Sequence, residues 1–290
     1  MATSSDPPAR TIRCDLPEDL WLALQERIRR TGEGLEQAVV ACLSEALDAP
    51  RHSIFQVSTS GALVKGVYAG ATRIGDVKKH GDMGLGTFVG LDGEGLMLDG
   101  RCYRAGPDGT VAEVGDDVQT PFWVTARFRA DDTRTLADVS SWRDLEARLA
   151  ALRPSDNLLA AVVAKGRFET IRARVACKAD SGTSLVDATS HQAEFAWRDV
   201  EGTLLGFWTP DYARTINVPG LHLHFLSADR GFGGHVLDVE AARLELQLHE
   251  TSDLHLVLPE NAEFLRADLA GDPAEALAKA EGGTARRDGR

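Results

Sequence analysis

The segment His222-Leu-His-Phe-Leu-Ser-Ala-Asp-Arg-Gly-Phe-Gly-Gly-His235 joins an alternating strand pattern to a glycine-rich turn and a third histidine. Alternate residues of a strand point to the same face, so His222 and His224 can approach one ion together. The three glycines before His235 favour a tight turn that returns this histidine beside the pair. Three imidazoles that leave coordination positions open are typical of a catalytic zinc site. The segment therefore predicts a metal centre on two adjoining strands, although a lone His-x-His pair would more simply indicate surface histidines.

The composition is that of an ordinary folded protein. Of the 290 residues, 43% are hydrophobic and 26% are charged, which suffices for one large domain or two smaller ones with a core. No apolar run approaches the roughly eighteen residues that a membrane span needs, and the N-terminus lacks the apolar segment of a secretory signal. The net charge of −12 disfavours nucleic acid and anionic membranes as partners.

The cysteines predict a reducing environment. Cys14, Cys42, Cys102 and Cys177 are widely separated, and none forms a Cys-x-x-Cys pair. Scattered single cysteines of this kind are usually small core residues rather than a disulfide framework. We therefore expect a cytoplasmic protein without disulfides.

Residues 1–50 predict a small module of strand, helix and helix. Polar and apolar residues alternate from Thr11 to Leu16, which indicates a short strand. Pro17 and two acids then open a helix that glycines end, and a second helix follows with Leu35, Val39 and Leu47 on one face.

This order resembles the ribbon-helix-helix modules of small dimeric repressors, in which the strand pairs with that of a second copy. Five arginines against nine acidic residues give this part of the chain a net charge of −4. That balance favours dimerisation, and hence a homodimer, over contact with DNA phosphates.

The rest of the chain, residues 51–290, predicts an α+β fold dominated by strands. The pairs Asp99-Gly100 and Asp108-Gly109 are typical of hairpin turns. One clear helix spans 141–152, and a short helix or tail spans 273–281. In the second half, strands are expected at 158–163, 168–175, 194–197, 202–208, 221–225, 235–239, 241–248 and 254–258. The expected fold class is a strand-rich mixed-sheet metalloenzyme with a small N-terminal module, and its larger domain has a candidate subdivision near residue 153.

Several blocks resemble the α-acetolactate decarboxylase family. They are the histidine segment together with His80-Gly-Asp-Met-Gly-Leu-Gly-Thr-Phe88, Gly90-Leu-Asp-Gly-Glu94, Pro154-Ser-Asp-Asn-Leu158 and Gly206-Phe-Trp-Thr-Pro210. The resemblance runs in order from about residue 54 to residue 281 and leaves out the first fifty residues. It implies a zinc-dependent lyase that removes CO2 from a small keto-hydroxy acid, 2-acetolactate, to give acetoin.

The resemblance also implies roles for single residues. His222, His224 and His235 would be the zinc ligands, Glu94 and Glu281 the proton donor or acceptor, Arg174 a catalytic group that binds the substrate carboxylate, and Thr87 a residue lining the substrate site. The chemistry suits these residue types. Loss of CO2 from a β-keto acid leaves electrons on the ketone oxygen, where a divalent cation stabilises them. A planar guanidinium can hold a carboxylate through two parallel hydrogen bonds.

The chain departs from the family pattern at a few points. Ala69 and Met83 stand where the family commonly has glutamate and phenylalanine, and the segment 178–190 lacks the usual prolines. These departures bear on the shape of the substrate pocket more than on the metal. His80 is interpreted as a structural histidine beside a turn.

Two other functions fit parts of the sequence. A cupin-like metal protein would also carry His-x-His and a later histidine, but the glutamate that cupins place after the pair is missing from Phe225 to Asp229. A regulator could bind DNA through its N-terminal module and sense a ligand with the remainder. Iron or manganese rather than zinc would indicate the cupin, and DNA binding at low salt would indicate the regulator.

Overall fold

The computed structural model describes residues 12–32, 34–46 and 53–282. The chain divides into two compact units, Met1–Arg51 and His52–Arg290. Within the described ranges, no helix is both long and apolar enough to cross a membrane.

The described residues of the N-terminal unit form two helices. Helix α1 (Glu18–Thr31) begins after Pro17 and ends at Gly32, whose φ of +74° is left-handed and whose N–H donates to the carbonyl of Ile28. Helix α2 (Leu35–Ala46) follows.

The described residues Ile12–Leu16 form no strand within a single chain. The strand predicted at Thr11–Leu16 was expected to pair with a second copy, and that pairing stays a prediction. A strand needs a neighbour for its backbone hydrogen bonds, and the described part of this unit offers only helices. Thr11, Leu47 and the expected linker up to His52 lie outside the described residues.

The larger unit carries the remaining elements. Its strands are β1 (Ser53–Val57), β2 (Thr72–Arg73), β3 (Met83–Thr87), β4 (Glu94–Leu98), β5 (Arg101–Ala105), β6 (Val111–Glu113), β7 (Gln119–Thr120), β8 (Phe122–Ala126), β9 (Asp132–Val139), β10 (Leu159–Val175), β11 (Ala193–Thr209), β12 (Gly220–Ser227), β13 (Gly233–Thr251) and β14 (Asp253–Val257). Its helices are α3 (Ser60–Val64), α4 (Ile74–Val77), α5 (Trp142–Leu152), α6 (Leu185–Thr189), α7 (Ala262–Arg266), α8 (Ala274–Ala280) and a 3₁₀ turn at Asp211–Ala213.

Two main sheets organise this unit within the described residues. The first has the strand order β14-β1-β8-β3-β4-β5-β6, in which β1 and β14 run parallel and the other pairs antiparallel. The second has the order β10-β11-β12-β13-β9, and β10 also pairs with β13. That extra pairing closes β10, β11, β12 and β13 into a ring of paired strands. The mixed-sheet, strand-rich fold class expected from the sequence is confirmed.

The core lies between the two sheets. Leu85, Leu96 and Val124 of the first sheet join Val163 and Phe207 of the second in one buried cluster. A second cluster covers the other face of the second sheet under α5, and a third lies beneath α4. The sheets therefore pack face to face, with residues between them removed from water.

Three long strands replace pairs of expected shorter ones. β10 and β11 each run for 17 residues and β13 for 19, whereas the sequence predicted a break inside each. The predicted break in β10 falls at Lys165, Gly166 and Arg167, where the side chains are exposed or half-buried but the backbone pairs with both β11 and β13. A break in hydrophobic alternation therefore marks a change of surroundings and not the end of a strand.

Helix α5 was expected and is confirmed: Ser141 caps it by accepting the backbone N–H of Asp144 at 3.2 Å. Asp99 and Gly100, both with positive φ, form the expected turn between β4 and β5. The sequence did not reveal α3, α4, α6 and α7, which are four or five residues long and too short to show a helical period.

Candidate metal centre

The hairpin of β12 and β13 brings the three sequence-predicted histidines together. His222 and His224 point from β12 toward the first sheet, and the register places His235 directly opposite His224. One ligand atom from each of the three lies within 4.8 Å of the others, and all three side chains are buried.

The turn of this hairpin is fixed by side chains as well as by glycine. The Ser227 hydroxyl accepts the N–H groups of Gly231 and Phe232 and donates to Asp229. The left-handed residue of the turn is Arg230, with φ +62°, rather than one of the three glycines. The sequence thus predicted the hairpin but not the residue that bends it.

His224 is set up as a neutral ligand. Its Nδ1 lies 2.9 Å from the carbonyl oxygen of Gly95 on β4, so Nδ1 carries the proton and Nε2 keeps a lone pair. Nε2 is buried without a hydrogen-bond partner among the described residues, 3.6 Å from a Glu94 oxygen. Burial lowers the pKa of this imidazole well below its ordinary value, and His222 adds to the effect. Metal-ligating histidines commonly have their tautomer fixed by a carbonyl in this way, so the residues present fit a metal ion.

His222 and His235 complete the group. Nε2 of His222 lies 3.1 Å from Nδ1 of His235, and the His235 Nε2 lies 3.1 Å from a Glu281 oxygen. The same Glu281 oxygen is 3.9 Å from Nε2 of His222. Nitrogen and carboxylate oxygen donors at this spacing are the set that zinc and its neighbours in the first transition row prefer.

The two carboxylates reach the centre from different elements. Glu94 begins β4 opposite Thr87, and one of its oxygens accepts the backbone N–H of Ala176 at 3.1 Å. Burial raises the pKa of Glu94 to about 7, an effect that Arg174 and the Ala176 N–H partly oppose. Glu281 directly follows α8, which buries Leu277 against the core. The segment 273–281, which the sequence predicted as a short helix or a tail, contains this packed helix.

Arg174 lies on β10 directly opposite His235, and only 4% of its surface is exposed. The β10–β13 register shifts between Arg172 and Ala173, a bulge of the kind that re-aims side chains beside active sites. Nη1 donates to Oε1 of Gln192 at 2.7 Å and Nη2 to Glu281 at 3.3 Å, whereas Nε is buried without a partner among the described residues. One edge of the guanidinium is thus already occupied, and Nε is a donor that a bound anion can use.

A cavity of about 50 Å³ adjoins these groups. Its polar wall contains the three histidines, both glutamates, Arg174 and Thr87, whose hydroxyl donates to the carbonyl of Gly93. Its apolar wall was not predicted from the sequence and consists of Leu63, Leu91, Phe122, Leu185, Val218 and Leu277. Those residues come from six separate places in the chain, so no local pattern marks them. All seven sequence-predicted site residues therefore line one cavity.

Three buried imidazoles grouped with an arginine and two carboxylates at a small cavity could hold a metal ion, and this arrangement is typical of a metalloenzyme active site. The chain belongs to the alpha-acetolactate decarboxylase family, whose sequence profile matches residues 54–271. The motif resemblance is thereby confirmed.

Individual relatives agree with this assignment. The alpha-acetolactate decarboxylase of Methanosarcina mazei is 40% identical over 250 residues, which cover 86% of this chain and 85% of that protein. That of Methylococcus capsulatus is 39% identical over 231 residues, 79% of this chain and 89% of that protein. The crystal structure of alpha-acetolactate decarboxylase from Bacillus subtilis strain 168 gives a TM-score of 0.77 at 34% identity and covers 79% of this chain and 99% of that one.

The raised pKa of Glu94 predicts a pH effect on the stability of the metal-free protein. In the folded chain this carboxyl keeps its proton up to about pH 7, whereas the unfolded chain loses it near the ordinary glutamate value of 4.5. Between these values the folded state binds more protons, so its free energy of unfolding falls as pH rises, by at most about 1.4 kcal/mol per pH unit. Glu94→Gln removes this dependence. The free energy of unfolding of the variant, relative to that of the unsubstituted chain, should therefore increase from pH 5 to pH 8.

The measurement is urea unfolding in excess chelator at both pH values. The opposite shift at His224 comes mainly from burial, which both proteins share, so this part of it cancels in the comparison. Glu260→Gln, at an exposed side chain, is the control and should track the unsubstituted chain. If the difference in stability between Glu94→Gln and the unsubstituted chain is the same at pH 5 and pH 8, the raised pKa of Glu94 is contradicted.

Proposed function

We propose that this protein is a zinc-dependent acetolactate decarboxylase, which converts 2-acetolactate to acetoin and CO2. The observation that carries the proposal is the placement of three buried imidazoles and a buried arginine around one small cavity. Membership of the alpha-acetolactate decarboxylase family supplies the reaction. The family assignment is also preferred over the cupin-like alternative, because the match extends over residues 54–271 and not only over the histidines.

His222, His224 and His235 would hold the zinc ion. When bound there, zinc would supply a Lewis acid for the ketone oxygen of the substrate. The Gly95 carbonyl holds the His224 ring in the tautomer that presents Nε2 to the cavity. The buried setting excludes bulk water, which strengthens every charge interaction inside.

Arg174 would bind the substrate carboxylate. Its Nε–H is buried and available, and one donor on each Nη is bonded to Gln192 or Glu281, so the plane of the guanidinium is fixed. A carboxylate held by such a plane cannot rotate freely. The breaking carbon–carbon bond can then be kept roughly perpendicular to the adjacent carbonyl, where its electrons enter the carbonyl π system.

Glu94 and Glu281 are the candidates for handling the proton that replaces CO2. They contact different histidines, with Glu94 beside His224 and Glu281 beside His235. A carboxyl that delivers a proton from a fixed position reaches only one face of a planar intermediate and so sets the handedness of the product. Thr87, paired with Glu94 across β3 and β4, would line the substrate site.

His224→Ala should abolish both bound zinc and acetoin release, because it removes the ligand whose tautomer is fixed by Gly95. The matched control is His255→Ala, at an exposed histidine of β14, which should keep both. Metal content by mass spectrometry and acetoin release from acetolactate, with and without chelator, are the measurements. Retained turnover in a metal-free His224→Ala protein would defeat the proposal, and iron or manganese in place of zinc would correct the metal.

Arg174→Ala should keep the metal and lower kcat/KM by at least about a hundredfold, since it deletes a charged hydrogen-bond partner of the substrate. Arg172→Ala is the matched control, because Arg172 lies two residues earlier on the same strand with a half-exposed side chain. Steady-state kinetics together with metal analysis check this. Loss of metal with activity intact would overturn the role as carboxylate clamp.

We also propose that the N-terminal unit pairs with a second copy of this chain, making a homodimer. Among the residues of 12–32 and 34–46 whose side chains the structure describes, Leu24 and Ala38 are the only buried apolar ones. Large apolar side chains that are at least 40% exposed are Ile12, Leu16, Leu20, Trp21, Leu22, Leu35, Val40 and Leu43. Two short helices with so small a core need further contacts to be stable.

The charges of α1 favour a second copy as the partner. Glu18 and Asp19 lie in its first turn, and Arg29 and Arg30 in its last. Two such helices packed antiparallel about a twofold axis would bring the acidic end of each against the basic end of the other. The charges at the two ends of α1 are therefore self-complementary, and a second copy of the chain is sufficient to pair them.

Charge exchange tests this pairing. Glu18→Lys with Asp19→Lys, or Arg29→Glu with Arg30→Glu, should raise the dimer dissociation constant about tenfold at low salt, and the fourfold variant should restore it. Analytical ultracentrifugation of the full chain measures the association. One oligomeric state shared by all four proteins would refute the pairing. A gel shift with DNA at low salt would instead support the regulator.

A further inference from the structure

We propose that Gln192 is a positioning residue for the decarboxylation: its side-chain amide orients the Arg174 guanidinium without neutralising its charge. This inference rests on the proposed function. No sequence motif pointed to Gln192, which closely follows the stretch of the chain that departs from the family pattern. The structure alone brings it to the site.

The contacts of Gln192 fix the direction of its amide. Oε1 accepts from Nη1 of Arg174 at 2.7 Å, and Nε2 donates to a carboxylate oxygen of Glu194 at 3.2 Å. A guanidinium only donates and a carboxylate only accepts, so the reversed amide would set donor against donor and acceptor against acceptor. The amide is held at both ends in the one orientation that presents its oxygen to Arg174.

The neutral amide suits this position better than a charged or an apolar group. A carboxylate at 192 would pair with the guanidinium and compete with the carboxylate of the substrate. An aliphatic side chain would leave Nη1 of a buried arginine without an acceptor, which is unfavourable and frees the plane to turn. The amide oxygen supplies an acceptor without adding a second carboxylate to the one that Glu281 already places beside Arg174.

The chain around Gln192 links this contact to the cavity. Helix α6 ends three residues earlier, and its Leu185 and Thr189 line the cavity wall. The backbone N–H of Gln192 donates to the carbonyl of Thr189 at 3.3 Å. Leu185 also packs in the same core cluster as Leu277 of α8, the helix that carries Glu281 at its end. The two acceptors of the guanidinium therefore follow the C-terminal ends of two helices, α6 and α8, that pack beside the cavity.

The test compares Gln192→Glu and Gln192→Leu in the full-length zinc-loaded protein. Gln192→Glu should raise KM for acetolactate about tenfold or more with kcat changed by less than about threefold, because a new carboxylate competes for Arg174. Gln192→Leu should lower kcat about tenfold with a smaller change in KM, because the guanidinium is retained but its plane is no longer held. Inhibition by acetoin, which has no carboxylate, should be unchanged in both variants.

Gln247→Glu is the matched control. Gln247 also donates to a glutamate two residues away on a strand, Glu245 at 3.0 Å, but does not line the cavity. Its KM and kcat should equal those of the unsubstituted protein. Metal content and the thermal midpoint of every variant separate positioning from folding.

Each possible result of these experiments either supports or overturns the positioning role of Gln192. An active unsubstituted protein whose KM and kcat are unaffected by both substitutions would overturn the role of Gln192 alone. Equal weakening of acetolactate and acetoin binding, or loss of zinc, would show that Gln192 only supports the structure and would also overturn it. An unsubstituted protein that releases no acetoin would overturn the proposed function itself.

Discussion

The short antiparallel pairing of β12 with β13 sets His224 opposite His235, and the other site groups are arranged around that pair. Backbone hydrogen bonds hold the two strands at a spacing that matches the reach of two imidazoles toward one ion. His222 joins from the same face of β12, two residues earlier. The pairing of β10 with β13 then sets Arg174 opposite His235. A one-residue slip of β13 would turn His235 to the other face of the sheet.

Charge balance is the second constraint on the site. Two carboxylates and a guanidinium lie in a buried space where an unpaired charge is strongly disfavoured. Burial raises the pKa of Glu94, and the positive charge of Arg174 opposes part of that rise. A divalent cation among the histidines would favour the ionised form of Glu94. The site thus combines a neutral imidazole, whose proton is directed away from the cavity, with one acid, Glu94, whose protonation depends on what is bound.

The sequence predicted more of the site than of the boundaries of the secondary structure. The histidine spacing and the family motifs together named seven residues that line one cavity, and the family itself is confirmed. The roles given to Glu94, Arg174, Glu281 and Thr87 stay predictions. The strand predicted at residues 11–16 is not formed by the described residues 12–16 of a single chain, where no other strand is available to pair with it. β10, β11 and β13 were each predicted in two pieces, because exposed polar residues in a paired strand look like a loop.

The sequence by itself determined the chemistry that the chain carries: which residues can bind a metal, grip a carboxylate or move a proton. It did so because those abilities belong to residue types at short, fixed spacings, as in His222-x-His224. Only the tertiary structure decided that the last helix packs beside the cavity and places Glu281 at His235, and that Gln192 holds Arg174. Glu281 also contacts Arg174, from which it is 107 positions away, and Gln192 is 18 positions from Arg174. These contacts depend on how sheets and helices pack, which no local spacing encodes.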